Sequence, residues 1–156
     1  MKSIRFLYLL AFIAIFFTSC KNNCVYNDCS DIDGFAWHKD SCVLFSPVVN
    51  DTVNKYNVLI TVRHDTEYEY QNLWLFVKSA SPDGIAVQDT VECYLADNRG
   101  KFLGDGVSVY EMPILYMRKI KFPKQGTYKF EIQQGMRDTI LAGVRNICLS
   151  IEKYSD

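Results

Sequence analysis

The feature that most constrains this chain is a two-residue alternation of apolar and polar side chains, repeated from about residue 56 to the C-terminus. The clearest stretch is Thr127-Tyr128-Lys129-Phe130-Glu131-Ile132-Gln133. Tyr128, Phe130 and Ile132 alternate there with Lys129 and Glu131. Successive side chains of an extended strand point to opposite faces, so this pattern sorts one face inward and one into water. A helix would need its apolar residues three and four apart, and it would scatter these. Tyr56, Val58, Ile60 and Val62 form another such face, as do Ile147, Leu149 and Ile151. Val87, Asp89, Val91, Cys93 and Leu95 alternate with Gln88, Thr90, Glu92 and Tyr94. Leu73-Trp74-Leu75-Phe76-Val77 is an unbroken apolar run, which predicts a strand covered on both sides.

Turn-forming residues separate these runs: Ser81-Pro82-Asp83-Gly84, Asp97-Asn98-Arg99-Gly100, Gly104-Asp105-Gly106 and Pro123-Lys124-Gln125-Gly126. Further strands near Trp37, over 42–49 and over 114–122 bring the expected set to about eight. Residues 135–141 read as a short irregular crossing between two late strands. Short strands at this spacing predict an all-β fold, a single antiparallel β-sandwich over residues 35–156. Heptads, long amphipathic helices and internal repeats are absent from the sequence.

The N-terminus follows different rules. Lys2 and Arg5 precede an apolar run over 6–17, which ends in Thr18-Ser19-Cys20. A positive start, a short apolar stretch and small residues at its end predict an export signal over 1–19. Twelve residues of helix span only about 18 Å, short of the roughly 30 Å hydrocarbon core, so a transmembrane anchor is not expected. Small residues directly before a cysteine resemble a bacterial lipobox, although Phe17 stands where Leu is commonest. On that reading Cys20 carries a diacylglycerol and an N-acyl chain, including palmitate-type acyl groups, and becomes the new N-terminus. Several acyl chains anchor far more firmly than one. Residues 20–34 then read as the lipidated cysteine and a polar tether. Lys21 differs from the Asp that retains some lipoproteins in the inner membrane. An outer-membrane lipoprotein facing the periplasm is the expectation.

Composition enters as a set of exclusions. With 49% hydrophobic and 22% charged residues the chain is too apolar for disorder. A formal charge of −1 argues against nucleic-acid binding through bulk positive charge. Removing residues 1–19 takes away Lys2 and Arg5, leaving 137 residues of formal charge −3.

The sequence carries no nucleophile elbow, zinc-protease helix, phosphate loop or dinucleotide fingerprint. His38 and His64 lie on separate segments. Arg63-His64-Asp65 offers a proton-relay reading, against the plainer one of a solvated charge cluster at a strand end. Asp31-Ile32-Asp33-Gly34 resembles part of a calcium loop, but Cys29 stands where its first oxygen ligand belongs. With Cys20 lipidated, Cys24, Cys29, Cys42, Cys93 and Cys148 remain. Cys93 and Cys148 fall on inward strand positions, where free thiols behave as small hydrophobes. An oxidising compartment would allow two of Cys24, Cys29 and Cys42 to pair, and the sequence leaves the pairing open. No catalytic residue, metal or other cofactor is expected. Tyr68-Glu69-Tyr70-Gln71-Asn72 with Trp74 reads either as an aromatic platform for sugar or, more plainly, as a hairpin turn entering a core strand.

A series of segments carries a resemblance. It begins at Cys20 and continues through Tyr56-Asn57-Val58, Val62-Arg63-His64 and Tyr68-Glu69-Tyr70-Gln71-Asn72-Leu73-Trp74-Leu75. Next come Asp89-Thr90-Val91-Glu92, Leu95-Ala96-Asp97 and Gly100-Lys101-Phe102-Leu103-Gly104-Asp105-Gly106. Phe122-Pro123, Gly126-Thr127-Tyr128, Glu131-Ile132-Gln133-Gln134-Gly135-Met136-Arg137 and Ile151-Glu152-Lys153 complete it. Taken together they resemble the gliding-motility lipoprotein GldH family of Bacteroidota. Phe102 stands where that family suggests Trp, and Cys148 where it suggests Gly. The resemblance implies a non-catalytic outer-membrane lipoprotein of gliding motility, linked to type IX secretion and its envelope proteins. Cys20 transfers as the lipid attachment site. Tyr68, Tyr70, Asn72, Gln134, Met136 and Arg137 are the candidate partner or glycan face, and a carbohydrate-binding envelope lipoprotein is the alternative reading.

Overall fold

A computed structural model describes residues 23–155. The signal over 1–19 and the lipid site at Cys20 lie outside the described residues. The strands are β1 (Cys24–Asp31), β2 (Ala36–His38), β3 (Cys42–Phe45), β4 (Val48–Val49), β5 (Tyr56–Asp65), β6 (Asn72–Ala80), β7 (Ala86–Tyr94), β8 (Asp105–Gly106), β9 (Val109–Ile120), β10 (Gly126–Thr127), β11 (Lys129–Gln134), β12 (Ile140–Ala142) and β13 (Val144–Lys153). A single 3-10 turn, Asp33–Phe35, interrupts them.

One sheet has the order β1-β13-β5-β9-β8 and a second the order β3-β11-β6-β7, every pairing being antiparallel. The pairs β10-β4 and β12-β2 are small additions at the rim. The chain crosses from sheet to sheet between β1 and β3, between β3 and β5, and again after β5, β7, β9 and β11, so the two sheets are laced together as a sandwich. Pro113 is tolerated in β9 because β8 covers only Tyr110 and Glu111 there.

The alternation read from sequence is the core. Tyr56, Val58, Ile60 and Val62 of β5 and Ile147, Leu149 and Ile151 of β13 face Leu73, Leu75, Val77, Phe130 and Ile132 across the sandwich, all fully or nearly fully buried. Each such side chain contributes roughly 1.5–3 kcal/mol when buried. A slip of one residue would turn a whole strand's set into water, which fixes the register.

Four expectations are corrected. The polar tether over 20–34 is too long, because Cys24–Asp31 lies on β13 as an edge strand. An edge strand held by backbone pairing leaves most of its side chains in water, so its composition resembles a linker. Second, Cys148 is not a free core thiol: it is bonded to Cys29, its register partner on β1. Among the described residues Cys24, Cys42 and Cys93 have no disulfide partner. Third, β6 is covered on one side only, with Leu73, Leu75 and Val77 buried and Trp74 and Phe76 more than a third exposed. Fourth, the Arg63-His64-Asp65 cluster is solvated only at Arg63, since His64 is 0% and Asp65 4% exposed.

Candidate functional site

Asn72, Trp74 and Phe76 line the outer face of β6. Water-facing strand positions are ordinarily polar, so two adjacent large aromatics there mark the face. The 135–138 loop leaves the end of β11 and lies against them. The Gly135 amide donates to the Trp74 carbonyl at 2.6 Å. A Cβ at Gly135 would stand 3.2 Å from the Phe76 ring and 3.3 Å from that carbonyl, so glycine lets the loop approach this closely. The Trp74 amide donates to Met136 Sδ at 3.4 Å.

Gln134, 2% exposed, sets the shape of the loop from below. Its Nε2 donates to the Asp138 carbonyl at 2.9 Å, and its Oε1 accepts from the Met136 amide at 2.8 Å. One buried amide thereby satisfies two backbone groups of an otherwise irregular turn.

The opposite wall comes from the chain entering β6. The Tyr68 hydroxyl donates to the Asn72 carbonyl at 2.7 Å, and its ring is buried. Gly143 sits beneath at φ +79, where a Cβ would lie 2.4 Å from the Tyr68 nitrogen. The Tyr70 hydroxyl then reaches over to donate to Asp138 Oδ2, closing the gap between the two walls. That bond to a carboxylate raises the Tyr70 phenol above its ordinary value, while burial raises Tyr68. Asn72 Nδ2 and the Tyr94 hydroxyl donate to the two oxygens of Glu92, at 2.6 and 2.8 Å.

Between these walls is a cleft of about 390 Å³, with Trp74 and the 135–138 loop on one side and Tyr70 and Asn72 on the other. Arg137 borders it, exposed and without a hydrogen bond or ion pair among the described residues. Of the candidate residues read from sequence, Tyr70, Asn72, Met136 and Arg137 line this cleft. Tyr68 and Gln134 do not; they are buried supports behind it. Asp138 was missed as a member of the cleft. Its place depends on meeting Tyr70 across 68 residues of sequence, and nothing local announces that.

The relay reading of residues 63–65 is not what the geometry builds. Arg63 Nε donates to Glu111 at 2.7 Å, and Asp65 takes Arg145 Nε at 2.7 Å and the Glu67 amide at 2.8 Å. His64 is enclosed by Tyr68, Phe102 and Tyr110, with ring centroids 5.6, 4.6 and 5.8 Å away. Its Nδ1 lies 3.1 Å from the Asp65 carbonyl, and its Nε2 has no partner among the described residues. Burial lowers its pKa from the ordinary value, with the nearby Asp65 carbonyl and carboxylate opposing that. Among the described residues no group of three His, Cys, Asp or Glu is placed to hold a metal, and no helix is long and apolar enough to cross a membrane.

A family model described as GldH lipoprotein matches residues 24–151, from the first residue of β1 almost to the end of β13. The chain belongs to the GldH lipoprotein family. One GldH relative, named a gliding motility lipoprotein GldH homolog from Christiangramia forsetii, is 34% identical over 98% of this chain and 98% of its own. The gliding motility lipoprotein GldH of Flavobacterium johnsoniae is 32% identical over 93% of this chain and 94% of its own. Both relatives are named as lipoproteins of gliding motility. Two solved chains of infectious bursal disease virus overlay with TM-scores of 0.33 and 0.35, at 14% and 15% identity, over 84% and 81% of this chain and 30% of theirs. Likeness at that level carries no weight for function. In this GldH chain Phe102, which stands where the family resemblance suggested Trp, packs edge-on against His64.

Proposed function

We propose that this GldH chain is a non-catalytic component of the gliding apparatus, anchored in the outer membrane through lipid on Cys20 and facing the periplasm. There its sandwich docks envelope proteins of the motility and type IX secretion machinery. The observation that carries this reading is how soon the fold begins. β1 starts at Cys24. Four residue steps from Cys20 reach at most about 14 Å, so a lipid on Cys20 holds the sandwich against the membrane surface. The disulfide from Cys29 to Cys148 fastens that first strand to β13, beside the central β5. A domain mounted so tightly is suited to partners that are themselves embedded in, or lie on, the same membrane. The buried histidine among the described residues, His64, is enclosed by aromatic rings away from that cleft.

The test is cross-linking of affinity-tagged full-length protein in native membranes, followed by purification and mass spectrometry. Recovery of gliding or type IX envelope components, lost when Cys20 is changed to Ala, is the expected result. Recovery of abundant outer-membrane proteins alone would end the docking reading.

A further inference from the structure

We infer that the cleft between Trp74, Tyr70 and the 135–138 loop binds a sugar ring of an uncharged glycan. The inference is independent of the docking reading, since it concerns a small concave site and not a protein-sized surface. Standard protein interfaces engage roughly 20–30 residues a side, many times what borders this cleft. A cleft of about 390 Å³ lies instead within the roughly 300–1,000 Å³ range of small-molecule sites.

The lining fits a pyranose on two counts. The first is an aromatic side chain held open to solvent. Trp74 is 37% exposed on the outer face of β6. A flat apolar ring of this kind covers the C–H face of a sugar. Tyr94, 60% exposed on β7, lies diagonally across from Trp74, about 7–8 Å away by sheet geometry, and offers a second platform for an adjoining ring.

The second count is polar groups of both kinds around that ring. Asn72 and Arg137 donate and Asp138 accepts, while Glu92, the register partner of Trp74, stands beside the cleft holding the Asn72 amide. A sugar hydroxyl does both at once, so vicinal hydroxyls match such a border. An anionic ligand would pair with Arg137 only by also confronting Asp138, the next residue along the same wall. Mixed charge therefore selects a neutral glycan over an acidic one. The site is also built in advance. Buried Gln134 fixes the loop backbone, and the Tyr70–Asp138 bond ties the two walls together before any ligand arrives.

Isothermal calorimetry on the full-length lipidated protein, in a detergent without a sugar headgroup, tests this. The probes are short oligosaccharides of glucose, mannose, galactose, xylose and N-acetylglucosamine, with oligogalacturonate as the acidic comparison. At least one neutral series is expected to bind saturably. Trp74→Ala and Arg137→Ala should each weaken it about tenfold or more, with the thermal midpoint unchanged. Tryptophan emission should shift on binding, because the second tryptophan, Trp37, is only 1% exposed and does not report on the cleft. No saturable heat from any neutral series up to about 10 mM would overturn the inference. So would undiminished binding by Trp74→Ala, or tighter binding of oligogalacturonate.

Discussion

Cys29 on β1 and Cys148 on β13 face each other in register and are covalently joined across a separation of 119 residues. The bond therefore closes nearly the whole sandwich into one loop. Cross-linking a chain over such a distance restricts the unfolded ensemble strongly, on the order of 4–5 kcal/mol in the chain-entropy account. Cys148→Ala is expected to lower the unfolding free energy by about 2–5 kcal/mol. It should also expose β1 to protease before the rest of the domain. Denaturant titration and limited proteolysis would show this, and a wild-type midpoint with an intact β1 would contradict it.

His64 should give the domain a dependence on pH. Its imidazole is fully buried and its Nε2 is unpartnered among the described residues, and burial lowers its pKa from 6.5. The unfolded chain therefore takes up the proton first. Stability is fully present above about pH 6.5 and falls as pH drops through and below that value. His64→Phe keeps a ring among Tyr68, Phe102 and Tyr110 while removing the titration. Unfolding midpoints measured from neutral to mildly acidic pH should fall more steeply for the wild type than for this variant. Parallel curves would refute the assignment.

Gln134 should be a positioning residue for the cleft. Gln134→Leu removes both of its hydrogen bonds and leaves the Met136 amide and Asp138 carbonyl without their partner. The cost is expected at about 1–3 kcal/mol. Hydrogen exchange at the Met136 amide should speed up while that of the β5 and β13 core amides changes by less. Unchanged protection at Met136 would mean the loop holds its shape by other means.

Asp65 and Arg145 form a pair in which the carboxylate is buried. Arg145→Met leaves Asp65 with only the Glu67 amide for its charge, and a loss of about 3 kcal/mol is expected. Thermal unfolding checks it; a loss no larger than that of an exposed ion pair, under about 1 kcal/mol, would show that water reaches the carboxylate.

The sequence made the sandwich legible because period-two alternation reports directly on burial. Tyr56, Val58, Ile60 and Val62, and likewise Phe130 and Ile132, lie where the pattern put them. It failed where pairing, not side-chain burial, decides the outcome. β1 has little apolar signal because backbone pairing and one disulfide hold most of it, with Tyr26 alone of its large side chains packed against the core. Trp74 and Phe76 read as buried, since an apolar residue on an outer face is indistinguishable by composition from one in a core. Four cleft-lining residues were legible as parts of two motifs, 68–72 and 134–137. That the motifs meet depends on β6 pairing with β11, and that Asp138 completes them depends on Tyr70. Neither relation has a local signature. His64 and Asp65 looked solvated because two adjacent polar residues at a strand end ordinarily are; here the 67–70 loop and Phe102 cover them.

The central claim is that lipid on Cys20 holds the sandwich at the membrane, and metabolic labelling with a radioactive fatty acid tests it most directly. Wild-type protein should carry label and sediment with the outer membrane, whereas Cys20→Ala should lose the label and leave the membrane fraction. Label and sedimentation unchanged in Cys20→Ala would contradict the account.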